Sequence, residues 1–251
     1  RHVAVSALNI RTDDIWIYDA VRGTRTRLRS DPERRDHQPA WSPTGDQVVI
    51  DTDQLGNSDL VVVDADGSEE AHALELDHTR LGCPDWSGDG RFLVYHGEGQ
   101  EGPDIGGLWR YDLTDDQPPQ MFLQGPLVGS PVISPNGKYV AYQSNESGDW
   151  EIYVTRFPEG KGKWQVSVDG GMHPRWNGAG DELFYVETGT DLLMSVPVET
   201  TDVFRMDLPQ QLFIIPHNSA PWWQRMYDVT QDGQRFVVAE EGEQEGTKAV
   251  P

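Results

Sequence analysis

Cysteine is almost missing from this sequence, because its 251 residues include only Cys83. A single thiol excludes an internal disulfide and any cysteine-rich metal site. Long apolar runs are missing too, since no stretch approaches the roughly 20 residues that a membrane-spanning helix needs. We therefore expect no membrane insertion of this segment. The chain runs from Arg1 to Pro251, and we expect it to be one β-propeller domain over residues 1–251, excised from a longer protein.

Positively charged residues are also few. The chain has 20 Lys and Arg against 42 Asp and Glu, a formal net charge of −22. A negative field repels phosphate backbones, so we expect no nucleic-acid partner. The same field attracts cations, amines and basic peptides. The alternative interpretation is that the acidity serves solubility alone.

Helical periodicity is also lacking, since apolar spacings of three and four are nowhere sustained over a helix-length window. What the sequence does contain is 26 Gly and 17 Pro spread along the chain, with 9 Trp, 8 Tyr and 7 Phe. Frequent Gly and Pro predict many tight turns. Large aromatic side chains provide apolar area for a core built from sheets.

A short phrase recurs: an apolar residue, then Ser-Pro-x-Gly or a relative, then a β-rich run. Its copies are WSPTG (41–45), WSGDG (86–90), ISPNG (133–137), WNGAG (176–180) and VTQDG (229–233). The glycines are 45, 47, 43 and 53 residues apart. A period of this length indicates one supersecondary unit repeated around a ring or along a stack.

Four strands fit each unit, one ending at the apolar residue, one after the glycine and two more beyond it. Four-stranded units at this period predict an all-β propeller of antiparallel blades, with a solenoid as the rival architecture. The post-glycine strands are 46–50, 91–95, 138–142, 181–185 and 234–238, and 1–5 reads as a sixth. We expect six blades, with five as the alternative, and with ends that are incomplete or share the closing blade.

The repeats resemble those of the TolB-type, WD-like propellers, through WSPxG and through SNESGDWEIY at 144–153. A more specific resemblance comes from four further strings, GKWQVSVDGG at 162–171, HPRW at 173–176, ELFY at 182–185 and YDVTQDGQRF at 227–236. They resemble the C-terminal propeller of bacterial transmembrane serine/threonine protein kinases. The resemblance implies a sensor or interaction domain outside the cytoplasm, and a periplasmic location is our expectation. No kinase motif is present in the sequence.

Catalytic motifs are also missing: there is no Gly-x-Ser-x-Gly elbow, no His-Glu-x-x-His pair and no sialidase-type repeat. We expect no cofactor. In a four-stranded meander, the loops entering the inner strands share one face with the loops joining strands two and three. Those entering loops carry His37, His78, His173 and His217, and the other loops are rich in acids. We predict that this face binds a positively charged partner or a divalent cation such as calcium, unless the loops stand apart and are only solvated.

Residues 217–225 are the most distinctive local feature, with Trp222 and Trp223 beside Arg225. Exposed Trp and Arg are common interface anchors. The alternative is that one Trp caps the ring's core and the other lies over a neighbouring blade. The predicted binding residues are therefore His37, His173, Arg175, His217, Trp222, Trp223, Arg225 and Tyr227. For His173 and Arg175, a hydrogen bond to a neighbouring blade is the alternative role. We interpret the Trp at 41, 86 and 176 as core packing, and Cys83 as a small buried filler.

Two functions follow from these patterns. The first is a non-catalytic sensor or scaffold whose loop face binds a protein, a peptide, a small ligand or an oligosaccharide. The second is a carbohydrate-active lyase or hydrolase with its site at the channel mouth. The enzyme would need His37, Asp85, Arg175, Arg225, Tyr227 and Asp228 to converge.

Overall fold

In a computed structural model of the chain, the described residues are 2–7, 13–54, 57–68, 70–74, 76, 78, 80–98, 106–125, 127–215 and 225–239. They form 22 strands and no helix, so none of the described segments is a long apolar helix suited to crossing a membrane. All strand pairs are antiparallel. The prediction of an all-β propeller is confirmed.

The described strands form five blades and a final hairpin. Blade one is β1 (His2–Ala7), β2 (Asp14–Asp19) and β3 (Thr24–Arg29). Blade two is β4 (Arg35–Trp41), β5 (Gln47–Gln54), β6 (Asn57–Asp64) and β7 (His72–Ala73). Blade three is β8 (Arg80–Trp86), β9 (Phe92–Glu98), β10 (Gly106–Asp112) and β11 (Gln120–Gln124).

Blade four is β12 (Val128–Ile133), β13 (Tyr139–Ser144), β14 (Glu151–Arg156) and β15 (Trp164–Gln165). Blade five is β16 (Met172–Trp176), β17 (Glu182–Val186), β18 (Leu192–Glu199), β19 (Arg205–Met206) and β20 (Gln210–Ile214), where β18 pairs with both β19 and β20. The hairpin is β21 (Tyr227–Val229) and β22 (Phe236–Val238), a separate two-stranded sheet. The blade count is five, the lower of the two numbers that the sequence left open.

The recurring phrase forms the turn from the first to the second strand of a unit. In blade four the Ser134 hydroxyl accepts from the backbone N–H of Tyr139 at 3.0 Å, and Gly137 closes the turn at φ 70°. The same hydroxyl position is filled by Ser42, Ser87 and Thr230, and Asn177 supplies an amide oxygen there. Glycine is required at the fourth position because its backbone angle is positive in every copy, from 70° to 76°.

The hydrophobic core is a series of layers between successive sheets. One layer joins blades four and five through residues such as Tyr139, Ile152, Leu183 and Val196, which are fully buried. Trp176 ends the inner strand of blade five and packs into this layer, and its indole N–H donates to the Val132 carbonyl at 3.1 Å. Trp41 and Trp86 pack into the corresponding layers of blades two and three. Their predicted role in core packing is confirmed.

Candidate functional site

The inner strands of blades two to five share one irregularity. Each has a break in strand register at a residue that precedes proline. That residue has a positive φ in all four: 49° at Gln38, 56° at Cys83, 49° at Ser130 and 58° at His173. A side chain before proline is strained there, which costs of order 1–3 kcal/mol per residue. Such outliers persist only where the surrounding structure holds them, so the ring's centre is a candidate site.

Three of the four proline carbonyls in these bulges accept hydrogen bonds from arginine side chains. The Arg225 guanidinium donates from Nη1 to the Pro39 carbonyl at 3.1 Å and from Nη2 to the Pro84 carbonyl. Arg175 donates from Nη1 to the Pro174 carbonyl at 2.7 Å. Arg225 lies just before β21, so a single side chain ties the final hairpin to blades two and three.

Carboxylates balance the two arginines. Asp85, on the inner strand of blade three, accepts from the backbone N–H of Ile133 in blade four at 2.9 Å. Burial raises the pKa of Asp85, against the opposing pull of Arg225 and Arg175. Asp228 on the hairpin lies 3.9 Å from Arg175 Nε. Burial, reinforced by Arg175, lowers the pKa of Arg225 to about 10, so this side chain stays cationic at neutral pH.

His173 and Tyr227 lie on either side of the junction between blade five and the hairpin. The His173 backbone N–H donates to Gln143 in blade four at 3.0 Å, and its carbonyl accepts from the Tyr227 hydroxyl at 2.9 Å. Burial, with help from Arg175, lowers the pKa of His173 to about 3, so the imidazole is neutral at physiological pH. Burial also raises the pKa of Tyr227. These contacts agree with the alternative role given to His173, a hydrogen bond to a neighbouring blade. The bonds are made by its backbone N–H and carbonyl.

The remaining bulges are polar and buried. The Ser130 hydroxyl donates to Cys83 Sγ at 3.8 Å, and burial raises the pKa of the Cys83 thiol. Cys83 is 4% exposed, which confirms its role as a small buried filler. Asp51 on β5 faces Gly82, where an added Cβ would lie 3.1 Å from Asp51 Oδ2.

The structure brings together some of the predicted site residues. Arg175, Arg225, Tyr227 and His173 meet at the ring's centre with Asp85 and Asp228. His37 is placed elsewhere: its Nδ1 lies 3.6 Å from Asp13 Oδ2. His217, Trp222 and Trp223 lie outside the described residues. A ligand-binding role for all eight residues stays a prediction.

Metal binding was predicted for the same face. Within the described part of the chain, no group of three or more His, Cys, Asp or Glu side chains is arranged to hold a metal ion. Four central residues were not predicted as site residues, namely Asp51, Gln143, Ser130 and the bulge residue Gln38. For Gln38 and Ser130 the signal in the sequence is a residue-proline pair on the inner strands of blades two to five, at 38–39, 83–84, 130–131 and 173–174. Asp51 and Gln143 lie on the second strands and have no such signal.

A second candidate site lies on the outer edge of blade five. Six of the eleven exposed large hydrophobic side chains among the described residues fall between positions 203 and 214. They are Val203, Met206, Leu208, Leu212, Phe213 and Ile214, and Leu208 and Ile214 are 84% and 66% exposed. All five residues of β20 are exposed. In the described residues β20 pairs with β18 alone, so its other edge is open.

Comparisons with known proteins agree on the fold. No protein-family model and no curated protein matches the sequence. Among solved structures, the chain is similar to TolB from Acinetobacter baumannii, with a TM-score of 0.65 and 18% identity over 83% of this chain and 51% of that one. It is also similar to an oligogalacturonate lyase in complex with manganese, with a TM-score of 0.63 and 16% identity over 92% of this chain and 65% of that one.

A third similar structure is a chain from a nidogen–laminin complex, with a TM-score of 0.59 and 12% identity over 78% of this chain and 73% of that one. The protein is thus a β-propeller. Within that class, its blades have the TolB-type fold. The chain spans about half the length of the TolB structure and 65% of the lyase.

Proposed function

We propose that this chain is a non-catalytic binding module that docks another polypeptide on the outer edge of blade five. The observation that carries the proposal is the exposure of Leu212, Phe213 and Ile214 on a strand with an open edge. Exposed apolar side chains that are clustered mark interaction sites in many proteins, whereas single ones are ordinary. An open edge also offers unpaired backbone groups to an added strand.

The partner is proposed to be a basic polypeptide in extended conformation. The chain carries a net charge of −22, and Asp202 and Asp207 lie beside and within the apolar segment in sequence. Lys and Arg at alternate positions of an added strand would meet this field, and the intervening apolar side chains would cover β20. Anionic membranes and nucleic acids would be repelled.

The centre of the ring supports a non-catalytic role. The polar groups of Arg225, Arg175 and Tyr227 are engaged in bonds to the backbone of other strands or of their own. His173 is 3% exposed and neutral. These groups hold the blades together, and this structural role explains why they are gathered at the centre without requiring a substrate. The loop face with His37, Trp222 and Trp223 remains the alternative docking surface.

The test is a fluorescence anisotropy titration with a labelled peptide of alternating Lys and Val. We expect binding to the unmodified chain and a loss of about tenfold or more in affinity in Leu212→Glu and Ile214→Glu. The control is Val21→Glu, since Val21 is 73% exposed in the turn that follows β2. Equal weakening by the control would show general charge attraction instead of docking on β20. A loss confined to Trp222→Ala and Trp223→Ala would place the surface on the loop face.

The location of this module is part of the proposal. We place it outside the cytoplasm, on the basis of the sequence resemblance to the propellers of transmembrane kinases. Antibody labelling of intact and permeabilised cells that express this sequence in its native gene context tests this placement. Labelling that requires permeabilisation of the inner membrane would contradict it.

A carbohydrate-active enzyme is the second candidate. One observation favours it: Asp85, Arg175, Arg225 and Asp228 converge, with shifted pKa values at Asp85 and Arg225. Perturbed groups gathered at one point are typical of active sites. The fold likeness to an oligogalacturonate lyase points to acidic oligosaccharides as substrates. Incubation with oligogalacturonate tests this, because β-elimination yields an unsaturated product with an ultraviolet absorbance. Activity that Arg225→Ala abolishes would favour the enzyme.

A further inference from the structure

The Arg225 side chain, just before the final hairpin, bonds to two blades that are far from it in sequence. Arg225 is separated from Pro39 by 186 positions and from Pro84 by 141, yet its two Nη atoms donate to both proline carbonyls. Asp85, the residue after Pro84, interacts electrostatically with the same guanidinium. Two neutral acceptors therefore hold one cation by hydrogen bonds, while the Asp85 anion and the Arg175 cation both act on it electrostatically.

We propose that the proline bulges of blades two and three, together with Asp85, form a preformed binding site for a guanidinium group. Arg225 is its intramolecular ligand, and this ligand latches the hairpin β21–β22 to the far side of the ring. The ligand class is the guanidinium ion and its substituted forms, of which the arginine side chain is one. This inference is independent of the docking surface on β20.

The site is built without the hairpin. The Pro39 carbonyl belongs to β4, which pairs with β5, and the Pro84 carbonyl belongs to β8, which pairs with β9. The strained residues Gln38 and Cys83 turn the chain just before these prolines. Because the surrounding sheets hold both bulges, removal of the Arg225 side chain should leave the acceptors in place.

The geometry selects a guanidinium over other cations. Two separate nitrogens of one planar group reach two fixed carbonyls, which a compact lysine ammonium cannot reproduce. The Asp85 carboxylate is partly removed from water, so a compensating positive charge is favourable there. Its other polar partner is the Ile133 N–H, at 2.9 Å.

Chemical rescue tests the proposal. The variant Arg225→Ala should melt several degrees lower than the unmodified chain, and guanidinium chloride should restore part of this loss in a saturable way. Concentrations up to about 0.05 M suffice, because the general denaturing effect of guanidinium is small there. Sodium chloride at the same ionic strength is the salt control, because it screens the net charge to the same extent. The gain with guanidinium chloride should exceed the gain with sodium chloride.

Three further variants sharpen the result. Arg205→Ala removes an exposed guanidinium that binds Glu199 at 2.9 Å, and guanidinium chloride should stabilise this variant no more than sodium chloride does. Arg225→Lys should not recover the stability of the unmodified chain. The double variant Arg225→Ala with Asp85→Asn should lose most of the rescue, since the anion of the site is gone.

The comparison of guanidinium with sodium chloride decides the proposal. A folded Arg225→Ala chain that guanidinium stabilises no more than sodium chloride would overturn the proposal. If Arg225→Ala does not fold in buffer, refolding from urea with guanidinium or with sodium chloride makes the same comparison. A higher yield of folded chain with guanidinium alone would support the site, and equal yields would overturn it.

Discussion

At the residue scale, Asp51 is a buried carboxyl group, 6% exposed. Its side chain lies between blades two and three, facing Gly82. Burial raises the pKa of Asp51 well above its usual range, and the nearby Asp53, Asp36 and Asp59 add to the shift. A carboxyl whose pKa is raised by folding binds its proton more tightly in the folded state. Its contribution to stability is complete below the unfolded pKa and is lost as the pH rises through the folded pKa.

Asp51→Asn should therefore stabilise the chain at pH 7. We expect the melting temperature to rise by about 3 °C or more, roughly 1 kcal/mol for a chain of this size. The gain should shrink as the pH falls toward the unfolded pKa of about 3.9 and vanish below it, where Asp51 is protonated in both states. Scanning calorimetry at several pH values checks this, and a gain that stays constant with pH would contradict it.

Asp46 is the matched control. It lies in the turn before β5, and hydrogen bonds from Thr44 and Ser42 lower its pKa. The pH dependence of stability from Asp46 has the opposite sign from that of Asp51. The contribution of Asp46 is present above the unfolded pKa and is lost as the pH falls through the folded pKa. Asp46→Asn should lower the melting temperature at pH 7 and change it little at low pH.

At the scale of the element, the inner strand is where local rules are broken. The sequence predicted a strand ending at Trp41 and its counterparts, and β4, β8 and β16 do end there. It did not predict the bulge before each proline. Proline removes a backbone donor, so the ladder has to break at that point. The positive φ of the preceding residue is the form that this break takes.

Ser130 tests the strain in these bulges. It has a φ of 49° and is 7% exposed. Ser130→Ala and Ser130→Gly both remove the hydroxyl that reaches Cys83, but only glycine relieves the backbone. We expect Ser130→Gly to be more stable than Ser130→Ala by about 1 kcal/mol, as measured by urea unfolding.

Ser134 is the matched control, because it lies in the turn after β12 without a positive φ. There glycine has no strain to relieve, and it increases the entropy of the unfolded chain. The order should reverse, with Ser134→Gly less stable than Ser134→Ala. The same order at both positions would show that the bulge is not strained.

At the scale of the whole molecule, charge opposes compactness. A net charge of −22 on 251 residues generates self-repulsion. Exposed ion pairs such as Arg91–Asp112 and Lys163–Glu146, at 2.6 Å each, offset little of it. The layers between blades must therefore supply the stability that holds the ring together.

Salt should stabilise this chain. Raising sodium chloride from about 0.01 M to about 0.1 M shortens the screening length from roughly 30 Å to roughly 10 Å. We expect the melting temperature to rise by several degrees over this range, as followed by circular dichroism. The double variant Asp115→Asn with Asp116→Asn removes two exposed negative charges. Its melting temperature should therefore rise less with salt concentration than that of the unmodified chain. A melting temperature that falls with salt would show that ion pairs outweigh the repulsion.

The blade period was predictable because its signals are local. A turn of Ser-x-x-Gly and a following apolar run specify a strand pair wherever they occur. The predicted runs 138–142 and 181–185 correspond to β13 and β17. The blade number was not settled by these signals, because the strands at both ends depend on how the ring closes.

What the sequence alone determined is the all-β class, the repeating four-stranded unit and the inward position of the strands that end at Trp41, Trp86 and Trp176. Turn chemistry and alternation act over a few residues, so they can be read without the fold. Only the tertiary structure decided which polar residues meet, because Arg225 lies 186 positions from one acceptor and 141 from the other. Only the ring decided that His173 and Tyr227 are buried, since burial depends on neighbouring blades that no local pattern specifies.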